Sequence, residues 1–218
     1  KIFDSVDNRR GRTFMDGVLY LWLLWGMWIY TTFLLRKSHP HRFRFSFICL
    51  LLICVFPFGM KIGPIEVTLP IIALALICIL YIRKLSLKQK LYMLVAVVTM
   101  GMLYAGIGLL SIYDPVLMFM DREYLISLTF VLVSILFYSH SSLYFLRFIA
   151  IGGSSVIGEF FLGIPLYNVG FSYSIGGHPY LDILALSIGL MLSLKAIGEF
   201  NQFVHIKTQT NKGEMKNL

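Results

Sequence analysis

Long apolar runs recur along this chain at intervals of about 25–30 residues. Each run is followed by a short polar segment, which is the spacing expected of helices and loops crossing a hydrocarbon layer about 30 Å thick. Charged residues make up only 14% of the 218 residues, against about a quarter in a typical soluble domain. This composition excludes an ordinary water-soluble core. The sequence therefore predicts an all-α membrane protein, a polytopic bundle of about seven transmembrane helices.

The charges between the runs predict the orientation of this bundle. Connectors near residues 36–44 and 83–90 are rich in Lys and Arg, whereas residues 164–180 contain neither. Cytoplasmic loops carry an excess of these residues, so we expect the N-terminus outside and the C-terminus inside. The approximate predicted spans are 18–35, 45–59, 66–82, 91–112, 124–138, 143–163 and 181–200.

The chain divides into one membrane domain and two polar ends. Residues 15–204 form the predicted seven-helix domain, and residues 205–218 a polar cytoplasmic tail. Residues 1–14 contain three arginines, which would favour a cytoplasmic N-terminus. We interpret them as an upstream extension or a disordered N-terminal tail, with Met15 as the natural start. The second run is short, and Pro57 and Gly59 predict that it bends or frays near the outer surface.

The net charge of +8 does not indicate a nucleic-acid partner. Most basic residues flank apolar runs, where the orientation of the spans explains them. The partners expected from the sequence are the lipid bilayer and either another membrane protein or further copies of the chain. The sequence contains no catalytic motif, and no cofactor or metal site is expected.

Ionisable residues inside membrane spans are costly and mark functional candidates. Glu159 lies about 18 Å along the sixth span from Arg147, where no basic residue is evident at its depth. Unpaired, it would bond to Ser, Tyr or His178 of the outer loop, and it could carry protons or line a wet vestibule. A second candidate group lies at the cytoplasmic ends of the last two spans: Arg147, Lys195 and Glu199.

Small residues four apart indicate where membrane helices pack closely. They lead us to expect that the fourth, sixth and seventh spans pack together. The stretch from Gly152 to Ser155 could alternatively be an unwound half-helix that exposes amides to an anion. The expected packing positions are Gly101, Ala105, Ser154, Gly158, Ala185, Gly189 and Ser193.

The first span reads GVLYLWLLWGMWIYTTF over residues 17–33, and a basic connector follows it. This stretch resembles the YphA-like small membrane proteins of endospore-forming Gram-positive bacteria, and the similarity extends over the span pattern from Met15. The resemblance implies a multi-pass protein of the bacterial plasma membrane. It implies no catalytic residue, because that family has no established activity.

Three functional hypotheses follow. The first is a non-enzymatic integral membrane protein that acts as a scaffold, accessory or regulatory subunit. The second is a small transporter or ion-coupled permease that uses Glu159 and the group of Arg147, Lys195 and Glu199. The third is an intramembrane enzyme that acts on lipid.

Overall fold

The structure is a computed structural model that describes residues 17–35, 42–62, 65–139, 144–171 and 173–214, with side chains as far as residue 200. The predicted extension at residues 1–14 lies outside the described residues. Seven α-helices occur in the part described, one at each predicted span. They are α1 Val18–Ile29, continued by a π-helical turn Tyr30–Leu34, α2 Arg42–Val55, α3 Leu69–Ile82, α4 Leu87–Tyr113, α5 Arg122–Phe137, α6 Tyr144–Asn168 and α7 His178–Glu214.

Three of these helices are long and apolar enough to cross a membrane by length and composition. They are α4, α6 and the part of α7 from His178 to Phe200. The apolar segments Val18–Leu34 and Leu69–Ile82 are shorter. The structure therefore supports an all-α membrane protein.

A small sheet differs from the purely helical prediction. Strands β1 Gly59–Ile62 and β2 Ile65–Thr68 pair antiparallel, and β3 Ser174–Ile175 adds in parallel beside β2. Lys61 lies opposite Glu66, and their side chains form an exposed ion pair of 2.9 Å. The predicted third span was wrong to begin at residue 66, because that residue belongs to β2 and the helix begins at Leu69 with Pro70 in its first turn.

Several helices are longer than the predicted spans. Ser86 and Gln89 form a capping box that starts α4 four residues before the predicted position 91. α6 continues through Pro165 to Asn168, beyond the predicted end at 163. α7 continues to Glu214, so most of the segment predicted as a polar tail is helical.

The core of the molecule is the contact between α4 and α6. A Cβ atom built on Gly101 would lie 3.3 Å from the backbone of Ser154 and of Gly158. A Cβ atom on Gly158 would lie only 2.7 Å from the Cβ of Tyr104. Because these positions carry no larger side chain, the two helices approach closely, as the sequence predicts for residues of this size. α6 remains helical from Gly152 to Ser155, so the alternative of an unwound half-helix was wrong.

The packing of α7 differs from the expectation. α7 packs mainly against α5 and α1 and contacts α6 over a smaller area. The atom nearest to a Cβ built on Gly189 belongs to Leu23 of α1, at 3.9 Å, and Ser193 is exposed. Ala185 is buried. The expected grouping therefore holds for α4 with α6 and for α6 with α7, whereas α4 is not among the main neighbours of α7. Small residues mark close packing without specifying the partner helix.

Gly158→Ala should destabilise the protein, because the added methyl group would overlap Tyr104 and force α4 from α6. Overpacking of this kind costs about 1–3 kcal/mol, so we expect a melting temperature lower by several degrees in detergent. Gly106→Ala is the matched control, since a Cβ at Gly106 meets nothing within 4 Å. Equal melting temperatures for both variants would contradict the close contact.

Candidate functional site

Glu159 lies in a closed cage between the helices and the segment that connects α6 to α7. Its side chain is 1% exposed. Tyr104 of α4 reaches it by crossing α6 at Gly158, where the missing side chain leaves room for the ring. The Tyr104 hydroxyl donates a hydrogen bond of 2.5 Å to Oε1 of Glu159. The close helix contact thus places the first donor of the cage.

The connecting segment supplies the other two donors. The Tyr173 hydroxyl lies 3.0 Å from Oε1 and 2.9 Å from Oε2 of Glu159, and the amide of Gly176 donates to Oε2 over 3.4 Å. Gly176 has a φ of 78°, and a Cβ there would lie 2.6 Å from the hydroxyl oxygen of Thr68. Thr68 in turn donates to the Gly176 carbonyl over 2.6 Å. Only glycine satisfies both the backbone conformation and the available space. We call Glu159, Tyr104, Tyr173 and Gly176 the Glu159 cage.

Charges around the cage act on Tyr173, which lies outside the helices. Burial and the negative charge of Glu159 raise the pKa of the Tyr173 hydroxyl, and the Arg122 guanidinium opposes this shift. Tyr173 therefore stays protonated over the physiological pH range and remains a donor to the carboxylate. Arg122, at the start of α5, is a basic residue near the level of Glu159. The sequence did not reveal that these two residues are neighbours.

A second buried polar contact lies one helical turn from Glu159. The Ser155 and Tyr180 hydroxyls are 3.1 Å apart, and both side chains are fully buried. This contact joins α6 to the start of α7. The same face of α6 therefore binds α4, the connecting segment and α7.

The candidate residues predicted to lie on the inner side form two contacts at the opposite end of the bundle. They are Arg147, Lys195 and Glu199, which we call the inner residues. Arg147 is 5% exposed and donates to the carbonyls of Tyr138 and Ser139, over 2.7 and 3.1 Å, at the end of α5. Its guanidinium carbon lies 4.5 Å from the centre of the Tyr144 ring. Arg147 thus satisfies carbonyls at the end of α5, which have no partner within that helix.

Lys195 and Glu199 form the other inner contact. Their charged atoms are 3.6 Å apart, and both side chains are substantially exposed. The Lys195 ammonium lies 6.0 Å from the centre of the Tyr144 ring that Arg147 also contacts. Arg147 and Lys195 therefore share one aromatic neighbour, and Glu199 joins them through Lys195, but Glu159 lies about 18 Å from Arg147 along α6.

Asp182 is a functional group that the sequence reasoning missed. It is buried in the first turns of α7 and accepts hydrogen bonds from the Gly17 and Tyr20 amides, over 2.7 and 3.1 Å. It therefore satisfies amides at the start of α1, which have no partner within that helix. The sequence feature that could have identified Asp182 is its position as an aspartate in an otherwise apolar run. Of the expected alternatives for Glu159, the structure selects tyrosine, and His178 is stacked on Phe56.

The chemistry of these sites is that of hydrogen bonding. Within the ranges that the structure describes, no three His, Cys, Asp or Glu residues are grouped so that they could hold a metal ion. The Glu159 carboxylate accepts from three donors on two separate segments. The arrangement can hold a charge or a proton under the segment that connects α6 to α7, which is predicted to be the outer segment, and fix that segment to the bundle.

One comparison with known proteins identifies a family. The family model for YphA-like integral membrane proteins matches residues 16–217. The chain belongs to this family. Membership of the YphA-like family agrees with the apolar helices and places the protein in a lipid bilayer. No curated protein and no solved structure matches this YphA-like chain.

Proposed function

We propose that this YphA-like protein is a non-enzymatic accessory or regulatory subunit of the bacterial plasma membrane. Its seven helices cross the membrane with the N-terminus outside, and the Glu159 cage fixes the outer segment as a docking platform for another membrane protein. The observation that carries the proposal is that the cage joins Tyr104 of the bundle to Tyr173 and Gly176 of the outer segment.

The closed geometry of the cage favours a structural role. Both oxygens of Glu159 accept hydrogen bonds from groups of the protein itself, and the side chain has almost no exposed surface. A buried carboxylate requires such donors, because leaving it without partners in an apolar environment is costly. The donors come from separate segments, so their combined effect is to hold those segments in one arrangement.

The separation of the charged groups also favours this role over ion transport. A relay across the membrane needs ionisable groups within hydrogen-bonding reach of one another. Arg147 instead binds the carbonyls of Tyr138 and Ser139, about 18 Å along α6 from Glu159. The charged residues therefore form separate structural contacts at the two ends of the bundle.

The loop between α4 and α5 belongs to the same docking platform, because it leads into Arg122, whose charge acts on Tyr173 of the cage. It contains a short 3₁₀ helix, Pro115–Leu117, and is rich in apolar side chains that the bundle leaves uncovered. Val116 is 90% exposed and Phe119 is 82% exposed. Apolar side chains presented together outside the core are typical of protein or membrane contacts.

An ion-coupled permease is the second candidate. The half-buried Tyr173 hydroxyl separates Glu159 from the outer surface, so a proton could reach the carboxylate through a single side chain. This observation concerns only the outer half of the bundle. A permease would also need a route from Glu159 to the cytoplasmic side.

Glu159→Gln distinguishes these two functions. We expect no change in proton flux into proteoliposomes, but faster hydrogen exchange of the amides at residues 173–177, because the amide side chain has one acceptor oxygen in place of two. Glu199→Gln is the matched control, since its carboxylate forms only the exposed pair with Lys195. Flux that requires the Glu159 carboxylate would contradict the accessory role.

A photoreactive amino acid at Phe119 should form a discrete adduct with another protein when native membranes are illuminated. Leu136 is the control position, because it is equally exposed but lies near the end of α5 among lipid-facing side chains. We expect only lipid labelling there. Lipid labelling at both positions would contradict a docking platform, and an adduct of two copies would show self-association in place of a partner.

Cysteine labelling in intact cells tests the orientation. In a chain whose Cys49, Cys54 and Cys78 are replaced by Ala, Val116→Cys should react with a membrane-impermeant maleimide from outside. Lys88→Cys should react only after the cells are permeabilised, because the basic turn that contains it is expected to be cytoplasmic. Both positions are exposed, so the reverse pattern would invert the proposed topology.

A further inference from the structure

An apolar groove opens along the face of the bundle formed by α3, α4 and α6. Its volume is about 540 Å³, within the range of small-molecule sites. It is walled by side chains from all three helices. The residues that shape it are Cys78 and Ile79 of α3, Leu94 and Val97 of α4, and Gly153 and Ile157 of α6.

The groove extends over the depth of one membrane leaflet. Along α4 its lining begins at Leu87 and ends at Val97, ten residues or about 15 Å at the helical rise. Half of a hydrocarbon core of about 30 Å is the same length. With the orientation proposed above, the groove begins at the cytoplasmic surface and ends near the middle of the bilayer.

The cytoplasmic end of the groove is basic. Among the described residues that line it, Lys90 is the only charged one, and its side chain is half-buried. A long stem along an apolar surface with its ammonium at the interface is the usual arrangement of lysine at a membrane boundary. Arg83, Lys84 and Lys88 lie exposed in the same turn, and residues 83–90 contain no acidic residue.

We propose that this groove binds an acyl chain of an anionic phospholipid from the cytoplasmic leaflet, with Lys90 contacting the headgroup phosphate. The apolar walls match the chain, and the basic end matches the anionic headgroup. Among the described residues that line the groove, the single charge lies toward one end of an otherwise apolar surface. This arrangement matches one lipid, with an apolar chain and an anionic headgroup, and favours it over the apolar face of a partner helix.

Photoreactive lipids test this site in the full-length protein. The protein is reconstituted in phosphatidylcholine vesicles that contain a small fraction of phosphatidylglycerol or of phosphatidylcholine with the same photoreactive acyl chain. We expect at least threefold more labelling of α3, α4 and α6 groove residues by the phosphatidylglycerol probe. Equal labelling by the two probes, or labelling spread evenly over all helices, would overturn the proposal.

Two pairs of variants sharpen the test. Lys90→Gln should reduce phosphatidylglycerol labelling to the level of phosphatidylcholine, whereas Lys88→Gln, which removes the same charge from an exposed position outside the groove, should leave it unchanged. Ala75→Phe should block labelling by both probes because Ala75 lines the groove, with the exposed Leu76→Phe as its control. A similar loss for both lysine variants would overturn a specific headgroup contact and indicate only general attraction to the membrane surface.

The outcome is separable from the proposed function. If Lys88→Cys reacts from outside while the groove is still labelled, the proposed orientation is wrong. The groove would then bind a lipid of the outer leaflet. If the groove is not labelled but the photoreactive residue at Phe119 forms its protein adduct, the lipid proposal is wrong and the accessory role is supported. A higher-mass adduct of two copies through α3 or α4 would assign the groove to self-association and overturn the lipid proposal.

Discussion

The close approach of α4 and α6 is the contact on which the rest of the structure depends. Lipid is as apolar as leucine, so helices in a bilayer gain little from the hydrophobic effect when they associate, and van der Waals fit decides their pairing. Gly101 and Gly158 bring the two backbones together. The same approach lets Tyr104 pass across α6 to Glu159. The close helix packing and the hydrogen bond to Glu159 therefore both depend on having glycine at these two positions.

The Glu159 cage extends this contact to the segment that connects α6 to α7. A carboxylate buried in a membrane protein needs strong donors, because an unpaired charge there is expensive. Its donors come from a helix 55 residues earlier and from a segment 14–17 residues later. Because these donors come from separate segments, satisfying the carboxylate requires all of them to be in place together. Gly176 completes the arrangement by joining the cage to Thr68 and hence to the small sheet.

Hydropathy predicted the helices well because it measures what a bilayer selects, namely length and apolar content. It did not predict the sheet, because strands of four and two residues have too little pattern to distinguish them from a loop. Glu159 could be identified from its depth, and tyrosine was among its expected partners. Tyr104 and Tyr173 could not be chosen individually, because their positions depend on helix rotation and on the turn at Gly176. The partners of α7 were missed for the same reason, since small residues are compatible with any close neighbour.

The basic residues that predict the orientation have separate structural roles. Arg42 donates to the carbonyls of Thr31 and Thr32 at the end of the π-helical turn, as Arg147 does at the end of α5. These arginines satisfy helix ends that would otherwise be left without partners near the membrane.

Lys90 differs from these arginines, because its side chain forms no hydrogen bond or ion pair with another described residue. Its charge is balanced by nothing in the described part of the protein, and its stem forms one end of an apolar groove. Charge counting treats all of these residues alike, since each biases its loop toward the cytoplasm. Their contacts separate the arginines that complete the fold from a lysine that lines an apolar groove.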